Sequence, residues 1–172
     1  DGSNLTGTGF TPDADYNLIA GTNAGSAIDP ANTTGCFNVI LGYESGRCLT
    51  NGGYNLLLGN CAGHKLTTAA GNIMLGNRAG VGMTSTASNN IAIGQDAGSN
   101  IDGPTVSDNI LICKDAGKGV TGGSSYVNIM IGRCAGRCSG NGNSYNVFIG
   151  HNAGHCNHSS GNNLLLGTSA GC

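Results

Sequence analysis

The stretch NLLLGNCAG, residues 55–63, decides how the rest of the chain is read. It opens with Asn55, runs through three apolar residues to Gly59, and closes on Ala62 and Gly63 after two unconstrained positions. The same nonapeptide starts at Asn17, Asn38, Asn55, Asn72, Asn90, Asn109, Asn128, Asn146 and Asn163, at steps of 21, 17, 17, 18, 19, 19, 18 and 17 residues. Self-similarity at such a period is the mark of a solenoid or repetitive fibre. Three apolar residues between an Asn and a Gly are too few for the apolar stripe of a helix, and they fit a short buried strand ended by a turn. The predicted fold is all-β: a parallel β-solenoid or β-roll of about nine stacked coils, as a homotrimer or a filament. Residues 1–16 form an N-terminal lead and 17–172 the repeat domain.

Stacking would place the nine Asn residues in register as a ladder. Their amides could then bond along the stack and also satisfy turn backbone. Side chains alternate along a strand, so the residues one and three after each Asn face one way and the middle residue the other. All these positions are apolar, so neither face seeks water. One face fills the coil. The other makes an apolar ridge about 40 Å long at the usual strand spacing, which soluble monomers rarely leave open. A homo-oligomer or an end-to-end filament is therefore the expected partner state. The connectors between nonapeptides vary from 8 to 12 residues and read as surface loops.

Composition narrows the function. Charged residues are 9% of the chain, with seven basic side chains and a net charge of −2, which is no nucleic-acid footprint. No apolar run reaches membrane-spanning length. The chain begins at Asp1 and is expected to be a processed product or a piece of a longer protein. No nucleophile elbow, P-loop or dinucleotide fingerprint is present. The expectation is a non-enzymatic protein without catalytic residues, cofactor or bound metal. Asp13 and Asp15 form a loose Asp-x-Asp that reads as a solvated turn rather than a calcium loop.

The eight cysteines are Cys36, Cys48, Cys61, Cys113, Cys134, Cys138, Cys156 and Cys172. Cys48, Cys138 and Cys156 fall ten residues after their Asn, and Cys61 and Cys134 six after. Cys138 and Cys156 would thus sit on consecutive coils within disulfide reach, with Cys113 and Cys134 also on adjacent coils. Cys172 could link to a neighbouring subunit. These are read as rivets between rungs in an oxidising, extracellular or virion-surface setting, with the overall connectivity open. The competing reading is zinc held by Cys134, Cys138, His151, His155, Cys156 and His158. Sequons at Asn4, Asn32 and Asn157 lie outside the nonapeptide and are candidate glycosylation positions.

The phrase NVFIGHNAG, residues 146–154, resembles repeats of phage and virus tail-fibre-like proteins and of trimeric autotransporter adhesin heads, and the likeness runs from residue 17 to 171. It implies stacked parallel coils in a stiff extracellular rod, although eight cysteines depart from both families. The hexapeptide IGHNAG, residues 149–154, is also similar to one unit of the left-handed β-helix acyltransferases. Those enzymes carry about three such units per coil where this chain has one, and His64, His151, His155 and His158 lack a distinctive context. The expected function is an extracellular structural fibre or filament subunit. The alternative is an adhesin-type module whose variable connectors bind glycans or a cell surface, and the acyltransferase is remote. An ice-binding face would need a regular Thr array, which is absent.

Overall fold

The computed structural model describes residues 12–29, 34–83, 86–101, 103, 105–120, 124–139, 144–157 and 161–172. Among them there is no helix, and the fold is a parallel β-solenoid. Each nonapeptide supplies one three-residue strand: β1 (Leu18–Ala20), β2 (Val39–Leu41), β3 (Leu56–Leu58), β4 (Ile73–Leu75), β5 (Ile91–Ile93), β7 (Ile110–Ile112), β9 (Ile129–Ile131), β10 (Val147–Ile149) and β11 (Leu164–Leu166). These make one nine-stranded parallel sheet in chain order. Register is strict: Ile40 pairs with Leu57, Leu57 with Met74 and Met74 with Ala92. Two connectors add a second small sheet, β6 (Val106–Ser107) beside β8 (Ser125–Tyr126).

The middle strand residue is the one that points inward. Ile40, Leu57, Met74, Ala92, Leu111, Met130 and Phe148 are essentially inaccessible, while the residues before and after each are half-buried or exposed. Two further columns complete the core. One is the Ala of the nonapeptide, as at Ala62, Ala79 and Ala97. Ser45 stands in that column once, and its hydroxyl donates to Leu57 O at 3.1 Å, which is how a buried polar group is tolerated there. The other lies eleven residues after each Asn: Ile28, Leu49, Leu66, Met83, Ile101 and Val120. The connectors are therefore not only surface loops. Their first part closes the coil and fills it. Volumes compensate between neighbours: above the small Ala92, a methyl group on Gly98 would strike Met83 at 2.5 Å and Leu111 at 2.9 Å.

The turn after each strand explains its first Gly. A Cβ on Gly42, at φ +127°, would lie 2.6 Å from the carbonyl oxygen of Gly59 on the next coil. Rungs stack so closely there that only Gly fits. Cys113 is the one departure and holds φ 98°.

Candidate functional site

Among the described residues, the molecule presents three built features: an internal Asn ladder, an aliphatic outer face, and outer turn columns where chemistry-bearing side chains vary.

The ladder forms as the repeat pattern requires. Asn17, Asn38, Asn55, Asn72, Asn90, Asn109, Asn128 and Asn146 are 0–2% exposed, and Asn163 on the terminal rung is part-buried. Each Oδ1 accepts both the backbone N–H and the Nδ2 of the next Asn. Asn55 donates to Asn38 Oδ1 at 2.9 and 3.0 Å, and Asn109 to Asn90 Oδ1 at 3.1 and 2.9 Å. The same Nδ2 groups also donate sideways to connector carbonyls, Asn55 to Ala69 O at 2.9 Å and Asn72 to Ala87 O at 2.8 Å. The side chain must accept two hydrogen bonds on one atom and donate two from another, which an amide does; a carboxylate donates none, and a hydroxyl has only one proton to give. Asp13 takes the place of a preceding Asn at the start of the stack. Its carboxylate accepts from Asn17 N at 2.8 Å and Asn17 Nδ2 at 3.3 Å. The Asp-x-Asp that reads as a solvated turn is thus a ladder cap.

The outer face of the sheet carries two columns of nine aliphatic side chains. They run from Leu18 and Ala20 through pairs such as Ile91 with Ile93 and Ile129 with Ile131 to Leu164 and Leu166. Neighbouring rungs half-cover one another. On the last rung, where one neighbour is missing, exposure rises to 66% at Leu164 and 61% at Leu166. Beside this face, just before the Asn column, Tyr16, Phe37 and Tyr54 stack with centroids 5.1 and 5.2 Å apart and planes within 15°. Both faces of Phe37 are covered by its neighbours, leaving ring edges outward. Farther along, Tyr126 and Tyr145 meet edge-on at 5.3 Å and, with Ser124, Ser144, Gly161 and Asn162, border an open hollow of about 270 Å³. That is below the usual size of a small-molecule pocket, ~300 Å³ and upward.

The cysteines line the turns, and all eight are free thiols in this structure. Cys138 and Cys156 are exposed and lie on successive rungs, with Cys156 N donating to Arg137 O at 2.8 Å. Cys134 is buried and lies against Arg137, whose pKa is raised, first through its hydrogen bond to that sulfur. Cys113 is exposed, and Cys134 N reaches Lys114 O one rung below. The thiol of exposed Cys172 donates to Asn152 O at 2.7 Å. Cys36 and Cys48 are half-buried. Cys134, Cys138, His151, His155 and Cys156 do not converge on a common point among the described residues, and His158 lies outside them. Of the sequons, Asn157 is part-exposed at the end of a turn, and Asn4 and Asn32 lie outside the described residues.

Position six after the Asn is the most heterogeneous column: Asn23, Glu44, Cys61, Arg78, Asp96, Asp115, Cys134, Asn152 and Ser169. Every member has φ between 51° and 59°. This left-handed backbone is held by bonds to the rung below, such as Glu44 N to Thr22 O at 2.9 Å. Opposite charges meet along and beside it. Arg78 Nε meets Asp96 at 2.9 Å, and Lys118 joins Asp96 at 3.5 Å to Asp115 at 3.0 Å, linking three rungs. Lower in the stack Glu44 faces Arg47 at 3.4 Å and His64 at 3.6 Å. The Tyr43 hydroxyl is pushed above the ordinary phenol range, first by the Glu44 charge and then by its hydrogen bond to that carboxylate.

No family model, curated protein or solved structure matches this chain.

Proposed function

We propose that this chain is a structural subunit of an extracellular fibre, assembling with copies of itself through the outer face of its nine-stranded sheet. The observation that carries this reading is the unbroken double column of aliphatic side chains, from Leu18 to Leu166, with no charged or polar residue in either column. A continuous apolar surface of this length marks an association site rather than a solvent face. Oxidation of Cys138 and Cys156, each giving up one proton and one electron to an extracellular oxidant, would add a covalent link between two rungs.

Sedimentation velocity over a range of concentrations, with negative-stain electron microscopy, tests the reading. Self-association is expected, and Ile110→Asp, which puts a charge at the centre of the face, is expected to abolish it while the far-ultraviolet spectrum stays unchanged. A protein that stays monomeric at every concentration, or an Ile110→Asp variant that assembles like the parent, overturns it.

A further inference from the structure

The geometry points to a zinc site formed by Glu44, Cys61 and His64, which ties the second rung to the third. Glu44 lies on the second rung, and Cys61 and His64 lie on the third. One ligand atom from each falls within 4.8 Å of the other two. Carboxylate oxygen, thiolate sulfur and imidazole nitrogen together are the donor set of zinc rather than of calcium or magnesium.

A second observation is independent of the clustering. His64 Nδ1 is inaccessible to solvent and has no hydrogen-bond partner. A buried polar atom left without a partner calls for an explanation. Glu44 Oε2 lies 3.6 Å away, too far for a hydrogen bond. That spacing suits two atoms sharing one ion. Ligands at about 2.0–2.1 Å from zinc, set at a tetrahedral angle, stand about 3.4 Å apart.

The surroundings hold the carboxylate in place. Its other oxygen, Oε1, is bonded to Arg47 at 3.4 Å, while Oε2 is the oxygen on the His64 side. Tyr43 bonds the same carboxylate. Outer contacts of this kind orient ligands in metal centres. One carboxylate and one thiolate balance the two charges of zinc, the Cys61 proton going to solvent on binding. Water fills the fourth position. Cys61 serves here as a metal ligand and not as a disulfide partner.

Isothermal titration of the full chain with zinc chloride, under a phosphine reductant, tests the site. Cobalt(II) serves as a second probe, because a thiolate ligand gives it a charge-transfer absorption. The informative variants are ones the repeat already tolerates. Asn23 and Asn152 occupy the column of Cys61, and Ser26 and Ser99 that of His64, so Cys61→Asn and His64→Ser preserve the fold. The parent is expected to bind one equivalent tightly, with a thiolate-to-cobalt band. Both variants are expected to lose more than ~100-fold in affinity, since even outer-shell changes cost 10–100-fold. The control Cys138→Ser is expected to bind like the parent. Absence of a one-equivalent site in the parent, or a Cys61→Asn protein that keeps the affinity and the cobalt band, overturns the assignment.

Discussion

Replacing Asn90 in the middle of the ladder measures how much the amide column contributes. In Asn90→Ala the backbone N–H of Asn109, bonded to Asn90 Oδ1 at 3.1 Å and buried, has no acceptor left. An orphaned buried donor costs about 1–3 kcal/mol. Other partners are cushioned: Asn109 Nδ2 keeps Ser107 O at 3.0 Å and Ser125 O at 2.8 Å, and Val106 O keeps the N–H of Ser88 at 3.1 Å. The remaining loss is the two hydrogens of Asn90 Nδ2, shared among Asn72 Oδ1, Ser88 O and Val106 O at 3.0–3.1 Å. At about 1 kcal/mol each, the total is about 3–5 kcal/mol.

Asn90→Asp sharpens the test. It keeps an acceptor for Asn109 but turns a second oxygen toward those same three oxygens. At neutral pH it should cost more than Asn90→Ala, because a buried charge then faces acceptors alone. A carboxyl placed there has its folded pKa raised above its unfolded value. Its proton stabilises the fold below the unfolded pKa, and that stability is lost as pH rises through the folded pKa. The deficit should therefore shrink in acid. Asn163→Ala, on the part-buried terminal rung, should cost only about 1 kcal/mol. Urea unfolding followed by far-ultraviolet circular dichroism reads all three. If Asn90→Ala loses less than about 1 kcal/mol, or Asn90→Asp matches it at neutral pH, the ladder is decoration and this reasoning fails.

Other outcomes follow from single positions. Cys113 holds φ 98° where neighbouring rungs carry Gly. Cys113→Gly should stabilise by about 1 kcal/mol, the relief of strain outweighing the added chain entropy, and raise Tm by about 2–4 °C in a thermal melt. Val127, a β-branched residue at φ 56°, occupies a column that holds Asn89 and Asn162 on other rungs. Val127→Asn should gain about 1 kcal/mol by chemical denaturation, and a loss would show that the outer contacts of Val127 outweigh its backbone strain. Glu44→Gln should bring the Tyr43 hydroxyl back down toward the ordinary phenol range in an ultraviolet titration. In the parent, unfolded Tyr43 ionises first, so stability should fall as pH rises from the ordinary phenol value toward the folded one.

The sequence revealed the parts of this fold that obey one rule on every rung. The Asn column, the apolar triplet and the first Gly are all visible as a repeated pattern, although three apolar residues in a row do not say which of them points inward. What stayed hidden depends on register. Leu49, Leu66, Met83, Ile101 and Val120 share a core column. They lie inside variable-length connectors, however, and the column fades into Ser139 and Asn157. Asp13 looked like an ordinary turn residue because a cap is defined by what it replaces, and no earlier Asn column marked the spot. The left-handed turn at position six was illegible for another reason. Bonds from the rung below impose it on Glu44, Arg78 and Cys134 alike, so residue type carries no signal. The group of Glu44, Cys61 and His64 escaped for both reasons, since it joins two columns across two rungs.

That separation explains how one scaffold holds such varied surfaces. The ladder and the interior fix the backbone of each turn through coil-to-coil bonds, such as Cys61 N to Tyr43 O at 2.8 Å and Arg78 N to Asn60 O at 2.8 Å. Side chains at positions five, six and nine then contribute little to specifying the fold and are free to differ. Stacking nonetheless brings each within reach of its counterparts one rung away, because adjacent strands lie only about 4.8 Å apart. Chemistry on this surface is therefore written vertically. A carboxylate above a guanidinium gives the Arg78–Asp96–Lys118 chain, rings above rings give the Tyr16–Phe37–Tyr54 stack, and a carboxylate beneath a thiol and an imidazole gives the metal-ligating group. A change at one of these positions should alter its neighbours one rung away while leaving the sheet intact, whereas a change in the Asn column should act on the fold itself.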